Sequence, residues 1–431
     1  MKLRSRTISL AAAALCASCS TTTTTSPVVS EVVDVANPTP PLSRPEDNVL
    51  RIGLLLPKSG PGTTIGSSAI RGALTAVALI NQSGGVLGHD VNLAEVDEGS
   101  DVGSANTGLK KLLDLEVDII IGPASANIAS SILPQIVASR TGVCSPIATS
   151  IALDDFPDND LMMRTVASDA LQAEAMAQRL EATGEDHVAV AYVDDAYGRP
   201  FASALRKALV RRTLTISNTI AFSPFDDDFT DEAKDTLAAG TGAVAVIGDP
   251  DAGVRMLAAI ANQAVPGKER SIVVNDTLRR PTATQDIRAM PTKARTKIEG
   301  TAQLFSSRDR AFTEALAPGI QDVPVSTTLF AAQTYDCVNL AALAAIRGST
   351  TDGAKLVAQA TDISTGGTKC ATFVDCKALM GLNFDYQGPD GNLAIDTNGN
   401  RSTAEFDTFV FDVAGRDVSK NEPFAVNLGS G

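Results

Sequence analysis

Short continuous apolar runs alternate along this chain with stretches whose apolar positions recur every three or four residues. Residues 49–56 are apolar apart from Arg51 and predict a buried strand. Ser59-Gly60-Pro61 breaks that run, and in residues 67–81 Ile70, Leu74, Val77 and Ile80 trace one helical face. Gly84, Gly85 and Gly88 end the helix, and residues 91–96 form the next strand. A helix over 106–115, a strand over 117–121, a helix ending at Ser139 and a strand over 143–147 follow. The alternation restarts after Asp169, with helices over 171–183, 201–210, 231–239 and 253–263. Between and after them lie strands over 188–193, 215–221, 243–247 and 271–274.

Strand–loop–helix units whose strands are apolar throughout predict α/β architecture, with parallel sheets covered by helices on both faces. The last third returns to helices over 327–345 and 353–360, then strands over 393–395 and 406–413 around a turn at Asn398-Gly399. Asp396, Asn398 and Asn400 alternate as calcium ligands do, and Asp407 fills the twelfth position. Arg401, however, stands at the sixth, where such a loop needs glycine, so a hairpin turn is the expectation.

The ends change the picture. Lys2, Arg4 and Arg6 precede a short apolar stretch over 8–15, which predicts a leader over 1–18. Small residues before Cys19 mark it as the lipid acceptor of a bacterial lipoprotein, in preference to Cys16, which bulky Leu15 precedes. The Thr- and Pro-rich residues 19–48 read as a tether from a membrane lipid to a globular body. No later segment holds the roughly 18 uninterrupted apolar residues of a membrane span. The remaining ~380 residues favour two lobes over one. A net charge of −14 argues against nucleic acid as a partner.

Beyond the leader and the lipid acceptor Cys19, the chain keeps Cys144, Cys337, Cys370 and Cys376. An even number in an exported chain favours disulfides, with Cys370–Cys376 the nearer pair. Cys144 and Cys337 are left either to pair or to remain as buried thiols. His89 and His187 are the only histidines and have no metal-ligand spacing, so neither a metal site nor His-based catalysis is expected.

In open parallel sheets, ligands bind beyond the C-terminal strand ends. The loops there are small and hydroxylated: Ser59-Gly60, Ser125-Ala126 and Ala148-Thr149-Ser150. Two of them lead straight into helices, whose free N–H groups suit an anion, although Ser and Thr also serve there as simple caps.

The order of these pieces resembles the type I periplasmic binding proteins, in particular the branched-chain amino acid (Leu/Ile/Val) binding proteins of ABC importers. The likeness runs over about residues 49–417. It rests on Ile52-Gly-Leu-Leu-Leu-Pro-Lys-Ser59-Gly60-Pro61, Ile80-Asn81-Gln-Ser-Gly84-Gly85, Ile121-Gly122-Pro123-Ala-Ser125 and Ser145-Pro146-Ile-Ala148-Thr149-Ser150. Arg164-Thr165, Ser168-Asp169 and Asp194-Asp-Ala-Tyr197-Gly198 continue it. The resemblance implies a two-lobed Venus-flytrap fold. Residues 49–166 and 300–386 would form the first lobe, 167–299 and 387–431 the second, with crossings near residues 164–169, 300 and 386–391. It implies that Ser125 and Thr149 take a ligand carboxylate, that the Ala148 carbonyl and Asp276 take an ammonium, and that Tyr197 closes over the ligand. Two departures stand out. Ala126 replaces a frequent second serine, and Ile65 and Asp249 occupy places where relatives carry aromatic rings, so Asp249 would favour a cationic or hydroxylated ligand. The implied function is a monomeric, non-enzymatic, cofactor-free, lipid-anchored substrate-binding protein that serves an ABC permease outside the cytoplasm. The alternatives are a sensing lipoprotein of the same fold, or a binder of amides or organic acids.

Overall fold

The computed structural model describes residues 47–238, 242–265, 267–279, 287–303, 310–318, 328–389, 391, 393–412, 414–420 and 422–428. The expected leader, Cys19 and nearly all of the tether lie outside the described residues.

The apolar runs become two sheets. The first is parallel, in the order β2-β1-β3-β4-β5. Its elements are β1 (Arg51–Leu56), α1 (Thr63–Gln82), β2 (Asn92–Asp97), α2 (Val102–Asp114), β3 (Ile119–Ile121), α3 (Ala126–Ser139), β4 (Gly142–Ser145) and β5 (Met162–Arg164). The chain then supplies α4 (Asp169–Glu181), β6 (His187–Val193), α5 (Gly198–Arg211), β7 (Thr215–Phe222), α6 (Thr230–Ala238) and β8 (Ala243–Ile247). After these come α7 (Ala252–Asn262), β9 (Ile272–Val274), α8 (Thr292–Arg295) and β10 (Ile298–Gln303). Strands β7-β6-β8-β9-β10 lie parallel in the second sheet.

Next follow α9 (Arg310–Leu316), α10 (Ala331–Gly348), α11 (Gly353–Ile363), β11 (Thr368–Cys370), α12 (Phe373–Lys377) and β12 (Phe384–Tyr386). The small β11–β12 pair stands apart from both large sheets. Finally β13 (Thr403–Phe411) pairs antiparallel with β10, and β14 (Asp417–Ser419) and β15 (Phe424–Asn427) pair antiparallel with β13.

Each large sheet is buried on both faces, as continuous apolar strands demand. Ile52, Leu54, Ile119 and Ile121 pack with α1 and α10 on one side of the first sheet, while Leu55, Ile120 and Val143 pack with α2 and α3 on the other. In the second sheet Val244 and Val246 face α7, and Ala243, Ala245 and Ile247 face α5. Helix α10 is buried continuously from Ala331 to Ala345. Its small residues let α1 approach so closely that a Cβ on Gly72 would lie 2.1 Å from the Ala331 carbonyl oxygen. By length and composition α1 could cross a bilayer, but Ala69, Ala73, Ala76 and Ile80 are fully buried against this helix and the first sheet.

The cysteines form two pairs, Cys144–Cys337 and Cys370–Cys376. The first bolts β4 to α10, so the free-thiol alternative does not hold.

Three expectations shift. Residues 393–395 make no strand: Leu393 and Ile395 turn into the first core, and only an Ile395–Arg401 bridge forms. Gly300 is the centre of β10, paired with Val274 and Phe409, so the return from the second sheet comes after Gln303 and not at 300. Because Leu393 and Ile395 still belong to the first core, the last passage lies beyond 386–391, just before β13. The passages bond to one another. Arg401 Nη1 donates to the Thr165 carbonyl at 3.2 Å, and the Ala167 amide to Gln303 Oε1 at 3.0 Å.

Candidate ligand-binding site

Each candidate loop begins where a parallel strand ends, and the chain fastens these loops before any ligand arrives. Ser145 Oγ donates to the Pro123 carbonyl at 2.8 Å and accepts from the Ala148 amide at 3.1 Å, joining the loops after β3 and β4. At Gly122 φ is +122°, and a Cβ there would lie 2.0 Å from the Leu55 carbonyl oxygen, so glycine alone fits. Behind the same loop Glu98 is 1% exposed, and its carboxylate accepts from the amides of Ala124 (2.8 Å) and Ser125 (2.9 Å). Burial pushes its pKa up to about 7, against the two amides, which lower it.

Thr149, Tyr197 and Asp276 converge on a residue that spacing alone does not single out. Asp169, the first residue of α4 and 3% exposed, donates its amide to the Thr149 carbonyl at 2.8 Å. Its carboxyl accepts from the Thr149 side chain. Burial holds that carboxyl well above the usual carboxylate range, and the charge of Asp276 adds to the effect. Asp169 Oδ2 is buried without a hydrogen-bond partner. The partly buried Tyr197 hydroxyl is raised first by desolvation and then by Asp169 and Asp276. Fully buried Asn275 steadies it, donating from Nδ2 to Tyr197 Oη at 2.8 Å and to the Gly248 carbonyl at 3.1 Å. Thr149 comes from the end of the first sheet, whereas Tyr197, Asn275 and Asp276 come from the ends of β6 and β9 in the second.

The other expected residues are engaged elsewhere. Ser59 is exposed, bonds to Asp97 and helps hold that carboxylate below its usual range. It lines a groove of about 430 Å3 with Glu95, Ser104 and Lys111, outside β2. Ser125 caps α3, its hydroxyl accepting from the Ile128 amide at 3.4 Å, and Ala126 is the helix's first residue. The Ala148 carbonyl already accepts from Arg164 Nη1 at 3.3 Å. Asp249 Oδ1 accepts from the amides of Asp251 (2.7 Å) and Ala252 (2.8 Å), so its carboxylate closes a local turn at the start of α7.

Arg164, 1% exposed, is the cation behind the Thr149 loop, and its donors are spent. Nη1 reaches the Ala148 and Ser150 carbonyls, Nε reaches Asn400 Oδ1 at 3.0 Å, and Nη2 pairs with Asp154. Asp154 also takes the Ser168 hydroxyl at 2.8 and 2.9 Å. Asn400 belongs to the 396–400 turn. There Asp396 Oδ1 accepts the Asn398 and Asn400 amides at 2.9 and 2.8 Å, an internal use for the carboxylate weighed as a calcium ligand. Among the described residues no group of three or more His, Cys, Asp or Glu side chains could hold a metal ion.

Sequence reasoning overlooked Asp169, Asn275 and Glu98. Asp169 had a signal, since it follows Ser168 at a strand-to-helix passage between the sheets. The Asp97-Glu98 doublet at the end of β2 is a fainter one. Asn275 follows β9 directly, as the other site loops follow their strands, but its role depends on contacts with residues 27 and 78 positions away.

A family model described as periplasmic binding protein matches residues 49–416. A Leu/Ile/Val-binding protein, BraC3, from Rhizobium johnstonii is 28% identical over 183 residues, which is 42% of this chain and 49% of that one. The matched stretch thus spans about half the length of the curated relatives. In fold the chain is similar to the LivJ branched-chain amino acid transporter substrate binding protein of Streptococcus pneumoniae, in complex with isoleucine. There the TM-score is 0.64 at 20% identity, covering 88% of this chain and all of that one. It is also similar to a solute binding protein from R. palustris in complex with benzoate, with a TM-score of 0.62 at 17% identity, covering 86% and 95%. With the family model spanning the parallel strands of both sheets and every candidate loop, the chain belongs to the periplasmic binding protein family.

Proposed function

We propose that the chain is the solute-binding component of an ABC importer and holds a small polar, ammonium-bearing ligand between its two sheets. The observation that carries this reading is the meeting of Thr149 from the first sheet with Tyr197, Asn275 and Asp276 from the second around Asp169. The first-lobe loops receive the ligand. The second-lobe residues then complete its shell, and these added contacts shift the population toward a closed form that a permease recognises. The bonded passages between the sheets serve as the hinge. Lipid on Cys19 and the tether over 19–48 keep this body at the outer face of the membrane as a monomer, and paired cysteines suit that oxidising side.

The test is thermal unfolding with amino acids, amides and small acids, each at saturation. A ligand at a hundredfold its Kd adds about 2.7 kcal/mol and raises Tm measurably. Asp276→Ala is expected to abolish the shift for ammonium-bearing ligands alone. A panel in which no compound moves Tm, or an Asp276→Ala protein that responds as the parent does, overturns the proposal.

A further inference from the structure

We infer that the site takes a small amine with no free carboxylate, bound between Asp169 and Asp276, in preference to a zwitterionic amino acid. This rests on the binding reading above and narrows its ligand class. The argument is a balance of donors and charges. An amino acid needs a seat for its carboxylate, and the groups the sequence offered for one are already committed. The Ser125 amide, with that of Ala124, donates to the carboxylate of Glu98. The Thr149 side chain is bonded to Asp169. Arg164, the cation behind the loop, is divided among Asp154, Asn400 and two carbonyls and is 1% exposed. At position 126 the chain has alanine, which offers no hydroxyl.

The acceptor side is the reverse. Asp169 is 97% removed from solvent by its 3% exposure, yet its Oδ2 has no hydrogen-bond partner. A buried carboxylate oxygen in that state is costly unless a cation or donor meets it. Asp276 is near enough to make its charge felt at Asp169, and both act on the Tyr197 hydroxyl. A ligand ammonium placed among them supplies three N–H donors and one positive charge to oxygens that otherwise repel one another. A ligand carboxylate in the same place meets two acidic groups, and of the first-turn amides of α3 that of Ile128 is already given to Ser125 Oγ.

The experiment compares matched pairs in which the amine is the decarboxylated form of the amino acid: leucine with isoamylamine, ornithine with putrescine, and lysine with cadaverine. Titration calorimetry on the whole globular body at pH 7 reads their affinities, with isocaproate as the anion control. At least one amine is expected to bind tenfold or more tighter than its amino acid, and isocaproate is expected not to bind. Asp169→Asn is expected to lower that amine's affinity tenfold or more while leaving Tm unchanged or raised, because the substitution removes a buried group whose ionisation burial makes costly. A purely structural role for Asp169 would lower Tm instead. An amino acid that binds as tightly as its amine overturns the inference and leaves the binding proposal standing. An Asp169→Asn protein with full amine affinity overturns it as well. Failure of every member of every pair overturns both.

Discussion

Glu98 sits 1% exposed between two backbone amides, and its raised pKa makes it a reporter of the loop it holds. A carboxyl whose folded pKa lies above its unfolded value contributes stability that is complete below the unfolded value. That contribution disappears as pH rises through the folded one. For Glu98 the window runs from the ordinary glutamate range up to about 7. The share lost between pH 5 and pH 8 is about 3 kcal/mol at most. Asp169, raised by burial and by Asp276, has the same sign. Melting temperatures at pH 5 and 8 are expected to differ less in Glu98→Gln than in the parent. Equal differences would show that Glu98 does not titrate in this window. Thr149 was named because its loop follows a strand end, a feature written in the local pattern, whereas Tyr197 and Asp276 were named through the family resemblance. Asp169 carried only a faint signal, its place after Ser168, because an acid in the first turn of a helix is ordinary. Its burial comes from a helix laid on the second sheet beside a loop of the first.

Among elements, the 396–400 turn has the widest reach for its size. Asn400 receives Arg164 on Oδ1 and donates from Nδ2 to the Asp154 carbonyl at 2.7 Å, while the Gly399 carbonyl accepts the Arg164 amide at 2.8 Å. The turn therefore braces β5 and the first passage between sheets. Asn400→Ala leaves a buried guanidinium short of acceptors and is expected to cost about 3 kcal/mol in urea unfolding. A loss within ~0.5 kcal/mol, the range of a neutral surface change, would show that the brace is dispensable. The turn itself was legible from Asn398-Gly399, but its partners were not, since they lie more than 200 positions away. β5 and β10 were missed for another reason: residues 162–164 make a strand of only three residues, and residues 298–303 are interrupted by Glu299, Gly300 and Thr301, so each reads as a strand only beside its neighbours. The run over 393–395 misled for the opposite reason. Its apolar side chains serve the first core and not a ladder.

For the molecule as a whole, two α/β units were readable because each apolar strand is buried on both faces and announces itself without its neighbours. Where the chain changes sheet was less readable, because the change falls inside or after strands that continue the pattern. At this scale the two disulfides add to the stability of the packed cores. Chain-entropy arguments give a ceiling of about 5 kcal/mol for the 193-residue separation of Cys144 and Cys337, and about 2 kcal/mol for the 6-residue separation of Cys370 and Cys376. Replacing the first pair by alanine is therefore expected to lower the denaturant midpoint more than replacing the second. The reverse ranking would show that native contacts, rather than chain closure, decide their worth.

All the parallel strands of the second sheet, β6 to β10, lie between Cys144 and Cys337 in the sequence. One proteolytic nick anywhere in that stretch thus yields two fragments still joined through sulfur. They would migrate as a single species on an oxidised denaturing gel and separate only after a thiol reductant is added.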